Sequence, residues 1–292
     1  MLRLAAVSLL LATAAPALAQ RQLTTPRVSP HGRVMQTVGM TDLTVDYHRP
    51  AVNGRAVWGE LVPYGDVWRA GANENTTFET STDITVQGER LPAGRYGFHV
   101  IPTEGEWTVI FSSMADAWGS YFYDASEDVL RVTARPREGA MQERLAFRFD
   151  DPDLDSATLV LHWERLELPV ALAADTPALV LDSMERELRG VAGFFAEGWE
   201  QIATYALDNG LRAEDALAWA EHSIERGASF GNQMTKARAL DALGQTAEAT
   251  ALRAAALSVA EEAEVQAYAQ SRRRAGHGDE ADRVLALYRD RG

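Results

Sequence analysis

The feature that most constrains this chain is a change of period at Asp175-Thr176-Pro177. Up to about Leu172 the apolar residues alternate in short β-branched runs. Beyond Pro177, Ala, Leu, Glu and Arg dominate and β-branched residues become scarce. Alternation with a period of 2 belongs to strands and a period of 3.6 to helices, so the two halves belong to different structural classes. Thr176 can cap a helix and Pro177 suits its first position. The pattern predicts an α+β chain in two domains, an antiparallel β-sandwich followed by an all-α array. The expected ranges are 20–175 for the β-domain and 176–292 for the helices.

In the first half, candidate strands are Val34–Val38, Leu43–Tyr47, Thr76–Thr80, Ile84–Val86, Arg95–Ile101, Trp107–Phe111, Val129–Ala134, Leu145–Phe149, Thr158–Trp163 and Leu166–Leu172. Turn signals separate them at Gly39, Gln87-Gly88-Glu89, Leu91-Pro92-Ala93-Gly94, Pro102–Gly105 and Asp151-Pro152. Many short strands at this spacing, with no amphipathic helices between them, disfavour a parallel α/β sheet.

The helical half repeats. Glu214-Asp215-Ala216, Ala247-Glu248-Ala249 and Asp279-Glu280-Ala281 recur, with the Ala positions 33 and then 32 residues apart. Gly244 and Gly276 each stand five before the repeat Ala, where the turn of a helical hairpin belongs; Ala216 lacks a Gly at that offset. One hairpin cannot bury its apolar face alone, so neighbours must stack. Lys236–Ala249 resembles a tetratricopeptide repeat. The expected array is tetratricopeptide-like, with two to three degenerate repeats and the last helix as a cap.

Residues 1–19 read as a signal peptide: Arg3 as n-region, Ala5–Ala14 as a short apolar h-region and Ala17-Leu18-Ala19 as an A-x-A cleavage site. No later run reaches the ~18 apolar residues a membrane helix needs. The expected location is therefore periplasmic or secreted. The chain has no Cys, which excludes disulfides, lipid attachment through a lipobox and thiol chemistry. Its formal charge is −14, with acid in excess in both halves, so neither carries the basic footprint of a nucleic-acid or anionic-membrane binder. The single lysine, Lys236, reflects a compositional preference for Arg.

Several rare-residue blocks occur in order. They are Tyr47-His48-Arg49-Pro50-Ala51-Val52-Asn53-Gly54-Arg55, then Trp58–Glu74, Leu91–Tyr96, Ile101-Pro102, Trp107–Phe111 and Trp118-Gly119. Together they resemble the bacterial domain-of-unknown-function family 2911 over roughly residues 27–175. The resemblance implies an exported β-domain, sometimes followed by tetratricopeptide-like helices. It implies no reaction, ligand or catalytic residue.

Residues 48–74 connect two strand candidates with neither a period of 2 nor one of 3.6. A connection this long in a compact domain is usually functional or disordered. Val52, Val57, Trp58, Leu61, Val62, Tyr64, Val67 and Trp68 give it enough apolar surface to pack, so an ordered loop over one end of the sandwich is expected. The candidate ligand-binding residues are Arg49, Arg55, Trp58, Tyr64, Trp68, Arg69, Asn73, Glu74 and, from a neighbouring strand, His99. Arginine forks suit carboxylates or phosphates, and the aromatic rings suit a sugar or an apolar ligand. The competing reading has Arg49, Arg55 and Arg69 paired with Glu60, Asp66 and Glu74, pinning the loop.

Other motifs carry less. The histidines His31, His48, His99, His162, His222 and His277 show no metal-binding spacing, although His48 and His99 remain the best members of any assembled site. Gly227-Ala228-Ser229-Phe230-Gly231 matches G-x-S-x-G but follows a helix, where a nucleophile elbow needs a strand. Asp150–Asp155 begins like a calcium loop and then lacks its Gly and Glu. Arg272-Arg273-Arg274 reads as a solvated helix face. No Walker or dinucleotide fingerprint occurs, and no metal or cofactor is expected. Trp199, Tyr205, Trp219 and Tyr268 read as packing residues.

The first functional expectation is a non-enzymatic ligand- or protein-binding module of the cell envelope. The loop would take a small anionic or glycan ligand, and the helices an envelope protein or peptide. The alternative is an envelope hydrolase with Glu74 or His99 as acid/base and Arg55 and Arg69 as anion clamps.

Overall fold

A computed structural model describes residues 25–291; the expected signal peptide lies outside the described residues. The strands are β1 (His31–Val38), β2 (Thr41–His48), β3 (Thr77–Thr80), β4 (Ile84–Val86), β5 (Glu89–Leu91), β6 (Gly94–Ile101), β7 (Trp107–Ser112), β8 (Asp128–Ala134), β9 (Arg137–Asp150) and β10 (Ser156–Ala174). They form two antiparallel sheets, ordered β1-β2-β3-β6-β7-β8 and β5-β4-β10-β9. The sheets face each other across one apolar core. Val45, Phe78, Phe98, Val109 and Phe111 come from the first, and Val86, Leu145, Leu159, Leu161 and Val170 from the second. β2 shows the physical rule most cleanly: Thr41, Leu43, Val45 and Tyr47 are buried and the residues between them are not.

Apart from β9, which begins at Arg137 where the candidate began at Leu145, two strand readings change. Glu89–Leu91 is a strand, not part of a turn: Gln87 and Gly88, both at positive φ, make a two-residue hairpin loop that pairs it with β4. Three residues carry no readable period. The candidates at 158–163 and 166–172 are one strand, β10. A bulge around Glu164, whose φ is 56°, bends it without ending it.

After β10 come α1 (Thr176–Glu187), α2 (Ala196–Asp208), α3 (Ala213–Arg226), α4 (Phe230–Ala242), α5 (Thr246–Val259), α6 (Glu262–Arg274) and α7 (Gly278–Arg289). No described helix is long and apolar enough to cross a membrane. The cap of α1 is Asp175, which accepts from the Ala178 N–H at 3.2 Å; the Thr176 hydroxyl instead donates to the Leu154 carbonyl, 2.8 Å away, on the sandwich. Leu179 packs on the sandwich core and Leu181 on the helical one.

The helices form three successive hairpins, α2/α3, α4/α5 and α6/α7, with α4 in contact with both α2 and α6. The final helix is therefore the second arm of a hairpin rather than a cap standing apart. Gly210, Gly244 and Gly276 occupy the three turns at φ of 66°, 77° and 87°. The first hairpin does have its turn glycine, one position earlier than expected. The extra residue is absorbed by Arg212, itself left-handed at φ 43° and held by Glu185 and Asp215. Ala216, Ala249 and Ala281 are fully buried, which lets the paired helices close up.

Arg272 corrects the solvated-face reading. It is 3% exposed, grips the Asp208 carboxylate with two nitrogens at 2.6 and 2.9 Å, and donates to Glu280 at 3.0 Å. Arg238 also pairs with Asp208, so one carboxylate of α2 ties α4 and α6 together. Burial alone would push Asp208 up, but the arginines hold it below the usual carboxylate range. Arg273 and Arg274 do face solvent.

Candidate functional site

The long connection between β2 and β3 is ordered by hydrogen bonds to both sheets. At one end the Val52 N–H donates to Glu143 (2.8 Å) and the Pro50 carbonyl accepts from Leu145 (3.0 Å), both on β9. At the other, Trp68 and Val100 exchange bonds of 2.8 and 2.9 Å, and Gly65 N–H reaches the Pro102 carbonyl at 2.9 Å. The loop thus takes the place of β3 along β6 where β3 stops. Its middle folds on itself, the Val62 N–H bonding the Val57 carbonyl at 2.8 Å.

Tryptophan holds it down. Trp58 stands edge-on to Trp68, Trp107 and Trp163, with centroids 5.8, 4.9 and 5.8 Å apart, and Trp68 stacks on Trp163 at 5.6 Å. Trp107 and Trp163 are core residues, so Trp58 and Trp68 anchor the loop. Beside this cluster opens a cleft of about 650 Å³, lined by Arg55, Asp66, Trp68, Arg69, Ser120, Tyr121 and Trp163 among others.

The predicted site residues separate. Arg55, Trp68 and Arg69 line the cleft. Trp58 lies beneath it in the indole cluster. Tyr64 does not line it; the ring is 43% exposed and rests against Gly59. Arg49 donates to the Leu145 carbonyl at 2.9 Å and Asn73 to the Ser29 carbonyl at 3.3 Å. Glu74 is bonded by Arg27 at 2.7 Å, and that bond holds its carboxyl below the usual range. His48 lies 3.5 Å from Glu74, and burial pushes it down while Glu74 opposes the shift. His48 and His99 have different neighbours, and no cluster of three or more His, Cys, Asp or Glu suited to a metal occurs among the described residues.

The three arginines also do not pair with the three acids of the loop. Arg49 and Arg55 use backbone carbonyls, Arg55 reaching Val52 at 3.0 Å and Ala51 at 2.5 Å. Arg69 has no carboxylate partner among the described residues, and its Nε is buried without a hydrogen-bond acceptor. Burial pushes its pKa below the ordinary guanidinium value. A second orphan donor is the Trp163 Nε1.

The wall behind Arg69 is segment 113–124, which lies over the outer face of β6 and β7. Its Met114 carbonyl presses on Gly97, and Gly119, at φ 64°, lets the Arg69 guanidinium lie directly against the chain; a Cβ there would collide with it. Beneath the segment His99 is 2% exposed, its Nδ1 3.1 Å from the Ser120 Oγ and its ring edge-on to Tyr123 at 5.4 Å. The Tyr123 hydroxyl donates to Asp128 at 2.6 Å. Burial pushes His99 down to about 4, against the opposing pull of Asp128, so the ring is neutral at pH 7. Asn75 Oδ1 and Asp128 Oδ1 are also buried without partners. On the outside, Trp118, Tyr121 and Phe122 are 51, 81 and 72% exposed.

Sequence reasoning stops at Trp118-Gly119 and misses Ser120, Tyr121, Tyr123 and Asp128. The one available signal is the density of aromatic residues from Trp118 to Tyr123, which exceeds what a turn requires.

No curated protein matches the chain in sequence. The family model described as "Protein of unknown function (DUF2911)" matches residues 29–172, which run from just before β1 to near the end of β10 and contain the whole cleft wall named above. The β-sandwich of this chain therefore belongs to the DUF2911 family.

Proposed function

We propose that this is an exported protein of the cell envelope whose β-domain binds a small ligand bearing a carboxylate or phosphate, with Arg69 as its counter-ion. The observation that carries the reading is Arg69 itself. A partly buried guanidinium without an acid is costly, and such groups persist where something else compensates them. Arg69 lines the cleft, its orphan neighbour Trp163 is also a donor, and Arg55 adds a second positive charge nearby. Asp66 is the acidic side chain lining the same cleft. The helical hairpins, as a stacked array, supply a surface for an envelope protein or peptide.

The test is a melting-temperature screen of the full chain with succinate, inorganic phosphate and a uronic acid, with Arg69→Gln in parallel. A ligand at 100 times its Kd adds about 2.7 kcal/mol of apparent stability. An anion-induced shift in the wild type that disappears in a folded Arg69→Gln protein supports the reading. No shift with any anion, or a shift that survives Arg69→Gln, overturns it. Export is tested separately, by fractionating expressing cells and sequencing the N-terminus of the recovered protein, with Gln20 as the expected first residue.

A further inference from the structure

The cleft wall contains a hydroxyl, backed by an imidazole buried behind the wall, that anion binding alone does not use. Ser120 lines the cleft, and its Oγ lies 3.1 Å from the Nδ1 of His99, which is on another element and buried beneath it. We propose that Ser120 is a nucleophile, that His99 is its general base, and that the cleft hydrolyses carboxylic esters whose acyl part carries a second carboxylate. The proposal rests on the anion reading above, since Arg69 is what would hold that carboxylate.

The arrangement meets the first geometric demand of nucleophilic catalysis, a hydroxyl within hydrogen-bond reach of a base that is unprotonated at neutral pH. The base is fixed: His99 sits on β6, is packed edge-on against Tyr123 and is covered by segment 113–124. The charges around it have a consequence for specificity. Asp128 favours the imidazolium, whereas burial and Arg69 disfavour it. A substrate carboxylate on Arg69 cancels that last contribution and makes His99 a stronger base. An anionic acyl group would thereby switch on the base as well as dock the substrate, and a neutral ester would do neither. Arg69 lies against Gly119, the residue before Ser120, so the bound carboxylate and the attacked carbonyl would lie within one short acyl chain of each other.

The step balances without any co-reactant but water. His99 Nδ1 takes the Ser120 proton as Oγ forms a bond to the ester carbonyl carbon. The bond from that carbon to the alkoxy oxygen breaks, and the proton passes from His99 to the departing alcohol. Water then attacks the acyl-serine by the same route, releasing the acid and restoring the hydroxyl.

The experiment uses the full chain with 4-nitrophenyl hemisuccinate and, as the neutral control, 4-nitrophenyl butyrate. A fluorophosphonate probe followed by peptide mass spectrometry locates the reactive residue. The expected result is hemisuccinate turnover favoured at least about tenfold over butyrate in kcat/KM, a probe adduct on Ser120, and a loss of about a hundredfold or more in both Ser120→Ala and His99→Gln. The absence of turnover and adduct, an adduct elsewhere, or full activity in Ser120→Ala overturns the proposal. The succinate melting shift of Ser120→Ala separates the two readings. If that shift persists and depends on Arg69 while the wild type hydrolyses nothing, the nucleophile is wrong and the anion site stands. If the wild type shows no anion shift either, both readings fall.

Discussion

The guanidinium of Arg69 lies so close to Gly119 that a Cβ there would collide with its Nη1. Gly119 is also left-handed, at φ 64°, so an Ala there is strained twice. Gly119→Ala should lose about 1–2 kcal/mol of stability from backbone conformation alone and push Arg69 out of the cleft wall. Urea denaturation with and without succinate checks both parts. A variant as stable as the wild type that still answers to succinate contradicts the geometry.

Arg69 should not be a stabilising residue. Its Nε has no acceptor and its charge no acid among the described residues, so an apolar side chain of similar length removes a desolvation cost. Arg69→Met is expected to melt at or above the wild-type temperature, by up to about 1 kcal/mol in stability. Early melting would mean that the arginine braces the loop.

His99 should make the protein sensitive to mild acid. Its pKa falls from 6.5 in the unfolded chain to about 4 in the fold, so between those values the unfolded state binds more protons. Stability is then full above about pH 6.5 and declines as pH falls towards 4, by a total of about 3 kcal/mol. His48, lowered in the same direction, adds to this decline. Depressed carboxylates such as Glu74 and Asp208 lose their contribution only lower still, as pH falls through their folded values. Chemical denaturation from pH 7.5 to 4.5 should give a slope that flattens in His99→Gln. An unchanged slope would remove His99 as its source.

In the helical half, Arg272→Met should be costly because it withdraws two hydrogen bonds from Asp208 and one from Glu280 in a buried site. With Arg238 still present on Asp208, a loss of about 3 kcal/mol is expected. Restoration by the double change Arg272→Met with Asp208→Leu would show that the stranded charge is the cause. If Arg272→Met alone is neutral, the network does not bind α2, α4 and α6 together.

The sequence carried most of the architecture because periodicity is local. Val34–Val38 and Leu43–Tyr47 alternate and become β1 and β2, and the Gly244 and Gly276 turns are visible as spacings. What it hid depends on distant partners. Arg272 looks like one of three surface arginines, and only the approach of Asp208 from another hairpin buries it. Arg49, Arg55 and Arg69 look alike in the loop. The fold gives the first two backbone carbonyls and leaves the third unpaired. Ser120 and His99 stand 21 residues apart, and no spacing rule connects a strand residue to the segment that folds over it.

The way the β2–β3 connection is fastened has a kinetic meaning. One end is bonded to β9, whose Leu145 is 96 residues from Arg49, and the other to β6. Contacts of such long range cost loop-closure entropy before they repay it, as the β4–β10 pairing also does. Arg69 and the indoles beside it are therefore expected to come together with the two sheets and not before them. A chain stalled halfway would have strands, and helices beyond them, but no cleft. Ligand binding, where it can be measured, doubles as a readout that both ends of the connection have been fastened to the sheets.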